Sequence, residues 1–175
     1  MTFFRNELTQ RGFISVQFNF DYIEQKRKVP DPQPKLQARY RRAVADVIEE
    51  HHPDHIFIGG KSMGGRVASY IAGDTPGVKG LIFLGYPLHP PGKFDQLRDS
   101  HLYELALPML FISGTRDPLA QREVLQNVVT KIGDRNTLVW IEGGDHSLTV
   151  KRGDNTPLKT AVDTIEEWIR GRIAS

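Results

Sequence analysis

The 175-residue sequence contains no cysteine, no long hydrophobic run and almost no excess of charge. Without cysteine there is no disulfide, no thiolate nucleophile and no zinc site built on sulfur, so hydroxyl, imidazole and carboxylate groups are the available catalysts. No apolar run reaches the roughly 18 residues needed to cross a bilayer, and the first ten residues lack the organisation of a signal peptide. The formal net charge of +2 is too small by itself to indicate nucleic-acid binding. We therefore expect a cytoplasmic protein that binds neither membrane nor nucleic acid.

Strand-like and helix-like segments alternate along the chain, which predicts an α/β fold in one domain spanning residues 1–175. We expect strands, covered by helices on both faces, at the short apolar runs 13–18, 55–58, 81–84, 109–112 and 137–141. We expect helices over residues 3–10, 36–50, 64–72 and 122–131, and a closing helix from Pro157 with Thr156 as its N-cap. The prediction is a doubly wound, mostly parallel sheet whose chemistry lies at the C-terminal ends of its strands.

The segment GKSMG at residues 60–64 fits the pattern G-x-S-x-G, directly after the second predicted strand and before a helix. In that context small residues permit a strained turn that exposes the serine hydroxyl, so we expect the two glycines to be sterically required. An ordinary Gly-Ser turn is the alternative interpretation. The stretch also resembles the end of a phosphate-binding P-loop, but His55 occupies the place of that motif's first glycine. We therefore predict that Ser62 is a nucleophile.

A serine is a weak nucleophile at neutral pH and needs a base within hydrogen-bond reach, with a third group that orients the base. Asp117 follows the fourth predicted strand and His146 follows the fifth, so the chain order is Ser, Asp, His. We predict His146 as the base and Asp117 as the acid that orients it. Three alternatives stay open: Asp117 before Pro118 is typical of a helix N-cap, Asp145 is a competing acid, and His146 is an ordinary exposed loop residue.

Four stretches of the sequence resemble small α/β-hydrolases related to dienelactone hydrolases. They are GGKSMGGR at 59–66, LGYPLHPPGK at 84–93, GTRDP at 114–118 and EGGDH at 142–146. The group includes the hydrolase-like domain of the third regulatory subunit of the non-specific lethal chromatin complex and a testis-expressed protein. The resemblance implies the same three catalytic residues. It also implies that Tyr86 and His89 border the substrate cleft, although turn formation by the prolines explains that loop equally well.

The sequence departs from this group at its N-terminal end, where members usually carry further strands. The last of those strands runs into a His-Gly loop that supplies the second oxyanion donor, which leaves the backbone N–H of Met63 as the remaining donor. Loss of one donor typically lowers turnover about 10²- to 10³-fold, so we expect slow activity. The missing strand would lie between residues 13–18 and 55–58. Either these two strands pair directly, or a partner chain fills the slot, or the natural protein starts upstream of Met1, which is the hypothesis we favour.

The sequence as a whole predicts a serine hydrolase that acts on a small ester-like substrate, a carboxylester, lactone or thioester, through an acyl-enzyme. The chemistry needs no metal and no organic cofactor, and the segment HHPDH at residues 51–55 is interpreted as a polar loop entering a strand rather than a metal site. The alternative is a hydrolase-like interaction module with weak or no catalysis. The sequence is compatible with a homo-oligomer and does not identify the natural substrate.

Overall fold

The computed structural model describes residues 1–174 and contains, within them, a four-stranded parallel sheet with helices on both faces. The strands lie side by side in chain order: β1 (Ile56–Lys61), β2 (Val78–Leu84), β3 (Met109–Gly114) and β4 (Thr137–Ile141). The helices are α1 (Thr2–Gln10), α2 (Asp21–Glu24), α3 (Gln33–His51), α4 (Met63–Ile71), α5 (Arg122–Ile132) and α6 (Thr156–Ile173), with short 3-10 turns at Ala72–Asp74 and Ser100–Glu104. The predicted doubly wound α/β fold is confirmed. None of the helices in residues 1–174 has the length and apolarity required to span a bilayer.

The hydrophobic core consists of two clusters, one on each face of the sheet. Residues of α3, α4 and α5 form the first cluster, and residues of α1 and α6 form the second. Side chains of β3 alternate between them, because Phe111 packs in the first cluster while Leu110 and Ile112 pack in the second. This two-sided burial explains why the strands read as continuous apolar runs in the sequence.

The closing helix begins one residue earlier than predicted. Asn155 is the N-cap residue and Thr156 is the first helical residue, so the prediction of Thr156 as N-cap is wrong. The carboxylate of Asp154 accepts a hydrogen bond from the Thr156 backbone N–H at 2.9 Å, which satisfies one of the donors that the helix start leaves free.

The strand predicted over residues 13–18 is absent. Helix α1 ends at Gly12, whose φ of +88° and the hydrogen bond from Phe13 N–H to Leu8 O turn the chain out of the helix. The following residues form no strand and make no ladder with β1. Two of their apolar side chains, Ile14 and Val16, are 62% and 54% exposed. Alternating apolar residues make a strand only where a neighbouring strand bonds the backbone, and direct pairing of this segment with β1 does not occur.

The outer edge of β1 is bonded by a side chain rather than by a strand. The buried Tyr40 of α3 places its hydroxyl against Gly59, accepting from the Gly59 N–H at 2.9 Å and donating to the Gly59 carbonyl at 2.6 Å. Burial raises the pKa of the Tyr40 phenol, so the hydroxyl keeps its proton and can donate. A single hydroxyl therefore satisfies one outward-facing backbone pair of the edge strand.

Candidate active site

Ser62 occupies a sharp turn between β1 and α4. Its φ of 52° and ψ of −122° are unusual for a residue with a side chain, and such strain persists only where the surroundings impose it. The Ser62 N–H donates to Leu84 O at 3.0 Å, and the Ser62 carbonyl accepts from Arg66 N–H at 3.2 Å. These bonds fix the turn to β2 on one side and to the first turn of α4 on the other. The serine therefore projects at the C-terminal end of β1.

The glycines that this turn needs differ from those that the sequence pattern predicts. Gly60 has a φ of +152°, a conformation that L side chains rarely adopt. A Cβ atom at Gly65 would lie 2.7 Å from the Gly60 carbonyl oxygen, a distance that real Cβ atoms essentially never show. At Gly64, by contrast, a Cβ atom would meet no heavy atom within 4 Å. The steric requirement therefore falls on Gly60 and Gly65, and the prediction that Gly64 is sterically required is wrong.

A continuous chain of hydrogen bonds joins Ser62 to His146 and His146 to Asp117. His146 Nε2 lies 2.8 Å from Ser62 Oγ, and His146 Nδ1 lies 2.8 and 3.0 Å from the two carboxylate oxygens of Asp117. An ionised carboxylate only accepts hydrogen bonds, so Nδ1 carries the proton and Nε2 is free to accept the Ser62 hydroxyl proton. The Asp117 side chain is fully buried, whereas the His146 side chain is 22% exposed. The arrangement can activate the Ser62 hydroxyl.

The two aspartates near His146 have different structural roles. Asp117 faces the imidazole and also accepts a hydrogen bond from Leu119 N–H at 2.8 Å, but α5 begins further on with Gln121 as its N-cap. The alternative of Asp117 as a helix N-cap is therefore wrong, and the residue caps a turn. Asp145 accepts from the backbone N–H groups of Ser147 and Thr149, and it holds the shape of the loop that carries His146. Although burial raises it, these bonds and the Lys61 charge leave the pKa of Asp145 lowered.

The loops carrying Asp117 and His146 are joined to each other by Arg116 and Thr115. The Arg116 guanidinium donates to the Gly143 carbonyl at 2.6 and 2.8 Å, and Gly143 N–H donates to the Thr115 hydroxyl at 2.8 Å. Gly85, with a φ of +64°, lies against the same loop, and a Cβ atom there would be 2.7 Å from the His146 carbonyl oxygen. Sequence reasoning did not assign a role to these residues, since only the quoted stretches GTRDP and LGYPLHPPGK contain two of them.

A cavity of about 560 Å³ opens beside Ser62 and His146. Its walls are the outer edge of β1, the first turn of α4 and residues 15–20, with mainly apolar side chains that include Phe4, Leu8, Phe18, Phe20 and Met63. Met63 is the first residue of α4, so its backbone N–H has no acceptor within the helix. The positive end of the helix dipole adds to this donor and favours a negative charge next to Ser62.

Comparison with known proteins places the fold in a family. A model of the alpha/beta hydrolase domain matches residues 1–173. The chain belongs to the alpha/beta hydrolase domain family. Among solved structures, it is similar to an alpha-beta serine hydrolase homologue from Coxiella burnetii, with 20% identity and a TM-score of 0.72 over 97% of this chain and 74% of the other.

Two further solved structures share the alpha/beta hydrolase fold. A putative alpha/beta hydrolase of unknown function from Agrobacterium tumefaciens gives 20% identity and a TM-score of 0.75, over 95% of this chain and 75% of the other. A serine hydrolase without a lid from Xanthomonas campestris gives 20% identity and a TM-score of 0.72, over 95% and 72%. Similarity at this identity shows the fold alone, and the chain spans about three quarters of each of these hydrolases.

The structure places Tyr86 and His89, the predicted substrate-binding residues, away from the cavity of this hydrolase. Tyr86 is 1% exposed and its hydroxyl donates to the Arg98 carbonyl at 2.8 Å. His89 is fully buried, with Nδ1 2.9 Å from the Pro90 carbonyl and Nε2 3.0 Å from the Gln121 side-chain oxygen. Neither residue lines the cavity beside Ser62. Both side chains bond the segment after β2 to the rest of the protein.

Metal ligands were also sought in the hydrolase structure. Across residues 1–174, no three or more histidine, aspartate or glutamate side chains are grouped so that they could hold a metal ion. This holds for the histidine-rich segment 51–55 as well.

Proposed function

We propose that the chain is a serine hydrolase that cleaves small ester-like substrates, carboxylesters, lactones or thioesters, through an acyl-enzyme on Ser62. The observation that carries the proposal is the hydrogen-bonded chain from Ser62 through His146 to Asp117. Membership of the alpha/beta hydrolase family supports it, as does the likeness to structures described as serine hydrolases. The four stretches quoted above support the narrower grouping with relatives of dienelactone hydrolases.

In the proposed mechanism, His146 removes the hydroxyl proton as Ser62 Oγ attacks the substrate carbonyl carbon. Asp117 keeps the proton on Nδ1 and stabilises the imidazolium that forms. The imidazolium then gives the proton to the leaving group, and the acyl group stays on Ser62. A water molecule, deprotonated by the same imidazole, attacks this ester, and the released acid restores the serine.

The negative charge that develops on the carbonyl oxygen would be stabilised by the N–H of Met63 at the start of α4. The acyl group would enter the cavity beside Ser62, whose apolar side chains suit a hydrocarbon chain or ring of modest size. The likeness to a serine hydrolase described as having no lid supports direct access from solvent.

A hydrolase-like interaction module with weak or no catalysis is the second candidate function. The observation that favours it is the position of β1 at the edge of the sheet that the structure describes. Because no further strand delivers a loop to that side of Ser62, the sheet supplies no second backbone donor there. Loss of one such donor lowers turnover about 10²- to 10³-fold.

The proposed function is tested by a panel of short carboxylesters, lactones and thioesters. We expect wild-type protein to hydrolyse at least one substrate class and Ser62→Ala to reduce turnover to the background rate. Ser100→Ala is the matched control, because Ser100 is an exposed serine at the start of a 3-10 turn. Folded wild-type protein without turnover of any class, or Ser62→Ala with full activity, would refute the proposal and favour the interaction module in the first case.

A further inference from the structure

Two partly buried arginines, Arg66 and Arg98, have no anionic partner among residues 1–174. Neither guanidinium makes a hydrogen bond or an ion pair within that part of the chain, and Arg66 Nε is buried without any acceptor. Other arginines without an ion pair, such as Arg42 and Arg152, are exposed to solvent, which satisfies their N–H groups. A buried guanidinium donor without an acceptor costs free energy, so this pair requires an explanation.

The two arginines face each other between α4 and the segment that follows β2. Arg66 lies in the first turn of α4, and the backbone of Arg98 is fixed by bonds to Leu88 O and from the Tyr86 hydroxyl. Burial and the positive charge of Arg66 lower the pKa of Arg98, as expected for like charges held close together. The neighbouring histidine is no counter-charge.

The polar groups around the arginine pair do not neutralise it. Burial and the Arg66 charge lower the pKa of His101 to about 4, and this neutral ring bonds to Ser69 Oγ at 2.8 Å. The nearby carboxylate, Asp99, accepts a hydrogen bond from Tyr103 at 2.6 Å and forms no ion pair with either arginine. Two adjacent cations therefore lack a counter-anion in a partly desolvated place, where an anion is bound more strongly than on the open surface.

We propose that Arg66 and Arg98 bind a carboxylate carried by the acyl group of the substrate. A planar carboxylate matches the guanidinium fork and would give Arg66 Nε its missing acceptor. Arg66 is one helical turn after Ser62, about 6 Å along the axis of α4, a separation that the half-ester of a dicarboxylic acid of about four to six carbons can span. The inference rests on the proposed hydrolase function and narrows its substrates to anionic half-esters.

The test compares monomethyl glutarate with methyl 4-carbamoylbutanoate, in which a neutral amide replaces the carboxylate at nearly the same shape. We expect wild-type protein to prefer the carboxylate in kcat/KM by roughly 10- to 100-fold, the discrimination typical of hydrogen bonds to charged groups. Arg66→Gln and Arg98→Gln should each abolish most of this preference. Arg66→Lys keeps the charge without the fork and should give an intermediate ratio.

Arg42→Gln is the matched control, because it removes the same charge from an exposed position on α3 and should leave the preference intact. Circular dichroism and thermal unfolding establish that each variant is folded, and either arginine variant alone suffices for the test. No preference in wild-type protein, or an equal loss in Arg42→Gln, would overturn the proposed site.

A binding measurement separates this inference from the proposed function. Calorimetric titration of wild-type protein with glutarate should give binding that Arg66→Gln and Arg98→Gln lose and Arg42→Gln retains, whether or not any ester is hydrolysed. If no ester is turned over but glutarate binds in this way, the hydrolase proposal fails and the anion site stands. Glutarate that does not bind, or inorganic phosphate that binds more tightly at the same residues, would overturn the assignment of a carboxylate.

Discussion

Replacing each of the two adjacent glycines after Ser62 by alanine should have opposite effects. Gly64→Ala and Gly65→Ala make the same chemical change one residue apart in the first turn of α4. At Gly65 the new Cβ atom would lie 2.7 Å from the Gly60 carbonyl oxygen and 3.0 Å from Phe83 Cδ1. At Gly64 it would meet no heavy atom within 4 Å. We expect the first alanine to be tolerated and the second to be destabilising.

The magnitudes follow from these contacts. Favourable carbon contacts lie at about 3.5–4.0 Å, so the backbone around Gly65 must move, at a cost of about 1–3 kcal/mol. In a helix, alanine is favoured over glycine by about 0.5–1 kcal/mol, which Gly64→Ala should gain in part. A difference of about 1.5–4 kcal/mol corresponds to roughly 3–16 °C in Tm for a chain of this size. A shift of about 1 Å at the nucleophile also lowers turnover by about 10²-fold.

Thermal unfolding and ester turnover, measured on both variants beside wild type, provide the assay. The expected result is a lower Tm and strongly reduced kcat for Gly65→Ala, with Gly64→Ala close to wild type in Tm. Equal destabilisation by the two alanines, or a greater loss with Gly64→Ala, would refute the steric assignment made from the structure.

Three further predictions concern the acid, the sheet edge and a buried histidine. Asp117→Asn should lower kcat by about 10⁴-fold because the imidazole loses its tautomer, whereas Asp145→Asn should chiefly lower Tm; steady-state kinetics with equal losses in both would contradict this. Tyr40→Phe leaves the backbone pair of Gly59 unsatisfied and should cost about 1–3 kcal/mol in urea unfolding, and a change below about 0.5 kcal/mol would contradict it. The pKa of His101 lies at about 4, below its ordinary 6.5, so the unfolded chain takes up a proton first and stability should fall from pH 6.5 to 4. His101→Asn should flatten this pH dependence, and an unchanged slope would refute the assignment.

The meeting of Ser62, Asp117 and His146 was predictable because it follows from topology. Each residue comes directly after an apolar strand run, and the C-terminal ends of parallel strands share one edge of the sheet. The strand period fixes which end of each run carries the loop. Positions far apart in the chain are therefore brought together by rules that need no side-chain detail.

Other features depend on neighbours that a sequence pattern does not contain. Residues 13–18 alternate like a strand, but a strand also requires a bonded neighbour, and none lies beside them in the described structure. The roles of Gly65 and Gly85 follow from which backbone atoms approach them, namely Gly60 O and His146 O. Tyr86 and His89 follow a strand end as the catalytic residues do, yet their side chains turn inward and bond within the protein.

The central claim is that His146 activates the Ser62 hydroxyl. Labelling with a fluorophosphonate, followed by intact mass and peptide mapping, measures this reactivity without any choice of substrate. We expect a single adduct on Ser62 in wild-type protein, none in Ser62→Ala, and labelling at least about 10³-fold slower in folded His146→Ala. An adduct that forms on Ser62 at the same rate without the imidazole, or folded wild-type protein that does not react, would contradict the claim.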